Sequence, residues 1–174
     1  MKKFFSSLVF TSAVLIACNG GSNTSGNQSA DTDAAGSSTD TSAMANNSSG
    51  NMMTKNGLPL GGDQEVPANN SGGKGTADVT YNKETKMLTY TVNYNGLSEA
   101  ATMAHIHGTA PRGANAGVVH DLTGKLQKET TGSFSDSVMI EGKLKEDSLL
   151  SGFYYFNIHT PTHPAGEIRG QIEF

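Results

Sequence analysis

All five histidines of the chain fall between positions 105 and 163. His105 and His107 flank Ile106. On a β-strand, alternate side chains leave the same face, so these two imidazoles share a side with Cα atoms ~6.6–6.8 Å apart. That spacing lets both reach one ion, and imidazole suits copper and zinc. Later, Tyr154, Phe156 and Ile158 form an apolar stripe that ends beside His159. If this stripe and Ile106 face a core, His105, His107 and His159 point the other way. The same parity in Gly166-Glu-Ile-Arg-Gly-Gln-Ile172 sends Ile168 and Ile172 inward, with Glu167 and Arg169 outward. If the strands are neighbours, the imidazoles, a carboxylate and a guanidinium share one outer face.

Two readings of that face stand side by side. In one, His105, His107 and His159 hold copper or zinc, with Glu167 and Arg169 supporting them. In the other, the face is the solvated side of an antiparallel sheet. Its histidines then make ordinary hydrogen bonds, and Glu167 and Arg169 pair across strands. Other chemistries find little footing. The chain has no Gly-x-Ser-x-Gly elbow, His-Glu-x-x-His, P-loop or helix-opening GxGxxG. The Gly-rich stretch Gly108–Gly117 leads from one β region into another, which is no phosphate cradle at a helix terminus. A single Cys excludes an intramolecular disulfide, a Cys-based zinc cluster and a CxxC redox motif. A net charge of -4 with no basic cluster argues against nucleic acid as a partner.

The elements that position these residues occupy the region from Leu58 to Phe174. Short alternating runs separated by Gly, Asn and Pro turn signals indicate an all-β sandwich or barrel. Strands are expected near Gly61–Val66, Thr76–Tyr81, Met87–Tyr94, Thr102–His107, Val118–Leu122, Gly132–Met139, Gly152–Thr160 and Glu167–Glu173. Between Met87 and Tyr94 the alternation is clean: Leu88, Tyr90, Val92 and Tyr94 share one face. Glu146-Asp-Ser-Leu-Leu is suited to one helical turn, acidic at its start and stopped by Gly152.

Ahead of this region the sequence changes character twice. Lys2 and Lys3 precede a mostly apolar run from Phe4 to Ala17, short for a permanent membrane span, which marks residues 1–17 as a signal peptide. It ends in Leu15-Ile16-Ala17-Cys18, which resembles a bacterial lipobox. The resemblance implies cleavage before Cys18, diacylglyceryl and palmitate-type acylation there, and a lipid anchor in the membrane of a bacterial cell envelope. Stable anchoring follows from two or more acyl chains, at ~0.8 kcal/mol per buried methylene. Asn19, in place of the Asp that favours inner-membrane retention, points to the outer membrane or cell surface. From Cys18 to Asn56 the chain is Ser, Gly, Asn, Thr, Ala and Asp, with Met44, Met52 and Met53 its only large apolar side chains. Such a segment buries too little to offset its ordering entropy, so a disordered tether is expected. As a Gly/Ser-type coil it has a root-mean-square span of ~31–37 Å. The overall hydrophobic content of 35%, low for a globular chain, belongs largely to this tether.

Four motifs then fall in a recognisable order. Gln64-Glu-Val-Pro67, Ala104-His-Ile-His-Gly108, Asn157-Ile-His-Thr160 and Gly166-Glu-Ile-Arg-Gly-Gln171 resemble those of the CHRD domain, named from the animal protein chordin and present in microbial secreted proteins. The resemblance spans essentially the whole folded part, residues 57–174. It implies a Greek-key β-sandwich similar in outline to copper/zinc superoxide dismutase, whose copper site also uses a His-x-His strand. It implies no reaction. His105, His107 and His159 match family positions, as do Glu65, Glu167 and Arg169. His120 stands where the family usually has an apolar residue and His163 lies in a variable loop, so both are weaker ligand candidates. A dismutase needs further ligands, a zinc subsite and a cystine-fixed loop; His120, Asp121 and His163 form no clear zinc subsite, and the cystine is absent. The expectation is a lipid-anchored envelope protein with a non-enzymatic binding or structural domain and an unidentified envelope or extracellular ligand. The alternative is a copper- or zinc-binding protein.

Overall fold

A computed structural model describes residues 50–174. The expected signal peptide (1–17), Cys18 and the linker as far as residue 49 lie outside the described residues. Eight strands follow in chain order: β1 (Met52–Gly61), β2 (Lys74–Asn82), β3 (Met87–Asn95), β4 (Met103–Gly108), β5 (Val118–Asp121), β6 (Gly132–Met139), β7 (Tyr154–His159) and β8 (Ile168–Gln171). One short helix, α1 (Glu146–Leu150), carries acidic residues in its first turn and hands over to Gly152 at φ +69°. All pairings are antiparallel, in the order β5-β4-β7-β8-β1-β2-β3-β6. Among the described residues no helix is long and apolar enough to cross a membrane.

Alternation of apolar residues dictates how this sheet curls. On β2, Ala77, Val79 and Tyr81 are buried; on β3, Leu88, Tyr90, Val92 and Tyr94 are. These faces meet Ile106 of β4, Phe156 and Ile158 of β7 and Ile168 of β8 in one core. Tyr90 of β3 and Phe156 of β7 lie four places apart in the sheet, yet their ring centroids are 5.2 Å apart. The curled sheet thus closes its two halves face to face, burying the apolar side of each. Each fully buried side chain of this size contributes about 1.5–3 kcal/mol, enough to fix which face of β4 and β7 turns inward. The sequence parity is borne out: Ile106, Tyr154, Phe156, Ile158, Ile168 and Ile172 are all in the core or fully buried.

The first strand differs from expectation. It begins at Met52, so part of the stretch assigned to the linker by composition, residues 52–55, pairs with β2. The Gly61–Val66 stretch instead holds a 3-10 turn at Gly62–Gln64. A register shift between Lys55 and Leu58 breaks the alternation, and the first half of β1 is largely exposed, so polar composition concealed a paired strand. The other strands lie within two residues or so of their expected ends.

Candidate metal site

β4, β7 and β8 are adjacent, with His105 opposite Asn157 and Asn157 opposite Arg169. His107 pairs with Tyr155, and Met103 with His159. Because Ala104 and Ile106 are held in the core, their neighbours on β4 emerge together on the opposite face. β5 adds Asp121 opposite His105, before a bulge shifts the partner of His107 to Val118.

His105, His107 and His159 each offer a ring nitrogen, and these nitrogens lie within 4.8 Å of one another. Two ligands on opposite sides of a copper or zinc ion would stand ~4.0–4.2 Å apart, so small ring adjustments bring all three into range. The other nitrogens are already engaged. His107 Nδ1 donates to the Ala116 carbonyl at 3.0 Å, and His159 Nδ1 donates to the Pro164 carbonyl at 3.1 Å. Those bonds fix both tautomers and leave both Nε2 atoms as lone-pair donors, the arrangement that commonly orients metal-binding imidazoles. His105 Nδ1 lies 3.0 Å from His159 Nε2, so it carries the proton between them. Its Nε2 lies 3.8 Å from the Asp121 carboxylate. Moving the His105 proton from Nδ1 to Nε2 places it beside a carboxylate and frees a third lone pair toward the others.

His107 Nε2 is buried and has no hydrogen-bond partner. A buried orphan of this kind is costly, and a lone-pair acceptor supplies the missing interaction when it binds a cation. Burial lowers the pKa of all three imidazoles, that of His159 to about 4, although Asp121 raises that of His105 and the carbonyl bonds raise those of His107 and His159. The rings are therefore neutral at pH 7, the form that binds metal.

The face that holds them is covered. His159 is 5% exposed, Arg169 1% and Glu167 0%, so the expectation of a solvated outer face is corrected. Loops fold over it because the face offers them buried hydrogen-bonding groups. Arg169 lies 3.5 Å from the Tyr155 ring centroid and donates to the Ala114 carbonyl at 3.0 Å and to Asn115 Oδ1 at 3.3 Å. Tyr155 also stacks on His107, with centroids 5.0 Å apart and planes 6° apart. Arg169 thus holds the loop whose next carbonyl, Ala116, orients His107. In the loop after β7, Thr160 and His163 exchange backbone bonds, and the turn presents the Pro164 carbonyl to His159.

Glu167 stands apart from the imidazole trio. Its carboxylate accepts from Ser71 Oγ (2.5 Å), Ser98 N (2.6 Å), Ser98 Oγ (2.8 Å) and Thr160 Oγ1 (2.5 Å). Burial pushes its pKa up, but these bonds together outweigh burial and hold it low. It ties loops together instead of pairing across strands. Glu65, expected to be exposed or to pair near a strand end, is 9% exposed and has Oε1 unpartnered. Burial raises its pKa to about 7 against the lowering effects of Asn157 and Arg169. Gly166, at φ +134°, permits this packing, since a Cβ there would come within 2.6 Å of Glu65 Oε1 and 2.4 Å of Asn157 Oδ1. His163 bonds weakly to Ser98 and lies 3.6 Å from Glu167, while His120 pairs opposite Ile106; neither joins the trio. Tyr155 was missed as a site residue, although its parity with Asn157 and His159 places it on their face.

A family model, "CHRD domain", matches residues 57–172. Among curated proteins, zebrafish (Danio rerio) chordin is 32% identical over 124 residues, covering 66% of this chain and 12% of chordin. The chain therefore spans about an eighth of that relative. No solved structure gives a significant match. The domain match takes in β4, β7 and β8 together with the loops that cover them, so the chain belongs to the CHRD domain family.

Proposed function

We propose that this chain is a lipid-anchored cell-envelope protein whose CHRD domain is a non-enzymatic binding module. Its ligand is a first-row transition metal held by His105, His107 and His159. The convergence of three imidazole nitrogens carries the reading, because His107 and His159 already have the carbonyl bonds that a bound metal requires of them. The lipobox-like Leu15-Ile16-Ala17-Cys18 supports an anchor, and the Ser/Gly/Asn linker supports a domain held away from the membrane, at the outer membrane or cell surface. Dismutation is not part of the proposal: among the described residues, this trio is the one cluster of three or more metal-ligating side chains that converges.

Zn(II) and Cu(II) titration of the full chain carrying Cys18→Ser, beside the same chain with His105→Ala/His107→Ala, tests the metal reading. Stoichiometric uptake lost in the double variant supports it; equal uptake by both overturns it. Mass analysis of the amino-terminal peptide from envelope fractions tests the anchor, and an unacylated Cys18 would remove that part alone.

A further inference from the structure

The strand that supplies two of the histidines carries a third side chain on their face. Met103, His105 and His107 alternate with Ala104 and Ile106, whose side chains are in the core. Met103 is therefore on the histidine face. It is paired directly with His159 across β4 and β7, which puts their Cα atoms ~4.5–5.5 Å apart. The residue is 38% exposed, so it is not consumed by packing. A thioether on three rotatable bonds has the freedom to turn toward a neighbouring imidazole. Among the ligand types at this face it alone is soft, and soft thioethers favour Cu(I).

We infer that Met103 is a fourth ligand and that the site takes copper, with Cu(I) as its preferred form. This rests on the three-histidine reading above and adds selectivity to it. The imidazoles alone serve zinc and copper alike; a thioether adds little to a zinc site and much to a Cu(I) site. Met103 is also the more solvent-facing of the pair, while His159, 5% exposed, lies deeper.

The test is competition titration with Cu(I) and Zn(II) on the full chain carrying Cys18→Ser, with and without Met103→Leu. The Cys18 change removes the only thiol, and leucine keeps the size of an exposed residue. The expected result is a loss of about tenfold in Cu(I) affinity with Zn(II) affinity within about twofold, tenfold corresponding to about 1.4 kcal/mol. X-ray absorption of the Cu(I) form reads the same question without relying on the variant alone: a sulfur neighbour of copper is expected, and it disappears in Met103→Leu. Unchanged Cu(I) affinity together with a sulfur-free first shell overturns the role of Met103 while leaving the histidine site intact. Equal binding of both metals by the His105→Ala/His107→Ala variant overturns the underlying site instead.

Discussion

Two buried polar regions lie on the covered side of the sheet, and they are built on opposite plans. Around Glu167 every need is met: serine and threonine hydroxyls and one backbone N–H converge on the carboxylate. Around His105, His107 and His159 the needs are met only in part: three ring nitrogens converge, His105 and His159 share one hydrogen bond, and His107 Nε2 has no partner. Burial costs both regions the hydration of their polar groups. At Glu167 that cost is offset by protein hydrogen bonds, which makes it a tie between segments. At the trio it is offset fully only when something else arrives. A closed network is read as architecture, and a convergent set of imidazole nitrogens with an orphan among them as a ligand site.

The comparison predicts a double dissociation. His107→Ala is expected to weaken Zn(II) or Cu(II) binding at least ~100-fold, more than loss of an outer partner would. Without metal it should cost only about 1–2 kcal/mol in urea unfolding. Glu167→Ala is expected to do the reverse. Stranding its donors should lower unfolding stability by on the order of 3 kcal/mol, with metal affinity little changed in the protein that remains folded. If Glu167→Ala abolished metal uptake in folded protein, the two regions would be one.

Glu65 sharpens the contrast through pH. Its folded pKa of about 7 lies above the ordinary value of 4.5, so the folded protein holds a proton that the unfolded chain releases. The stability it contributes is complete below pH 4.5 and is lost as pH rises through 7, by up to about 3 kcal/mol. Comparing wild type with Glu65→Gln should therefore show a difference in unfolding free energy that grows across that window in favour of the variant. A constant difference would show Glu65 to be ionised throughout. Glu167 has the opposite sign: its depressed pKa contributes stability above the ordinary carboxylate range, and that is lost in acid. The smallest effect is expected at Asp121, which is mostly exposed and whose side chain accepts from Thr123 N. Asp121→Asn should weaken metal binding about tenfold through His105 with little change in stability.

Much of this arrangement is legible in the sequence. The parity of Ile106, Ile158 and Ile168 places the histidines on one face, and the apolar stripes place the strands. Antiparallel adjacency of β4 and β7 was a condition that parity alone does not supply, because the strands are about fifty residues apart. The cover over the face was not legible either. Ala114, Ala116 and Pro164 act through backbone carbonyls, which carry no side-chain signature. Nor was the first half of β1, whose polar Thr54 and Lys55 read as linker yet pair with Thr80 and Val79 of β2.

The most direct test of the histidine site is ring-resolved NMR of the five histidines during Zn(II) titration of the Cys18→Ser chain. The account predicts that His105, His107 and His159 shift together and saturate at one equivalent, while His120 and His163 stay in place. Shifts in His120 and His163 alone, or no saturable shift in the trio, would contradict it.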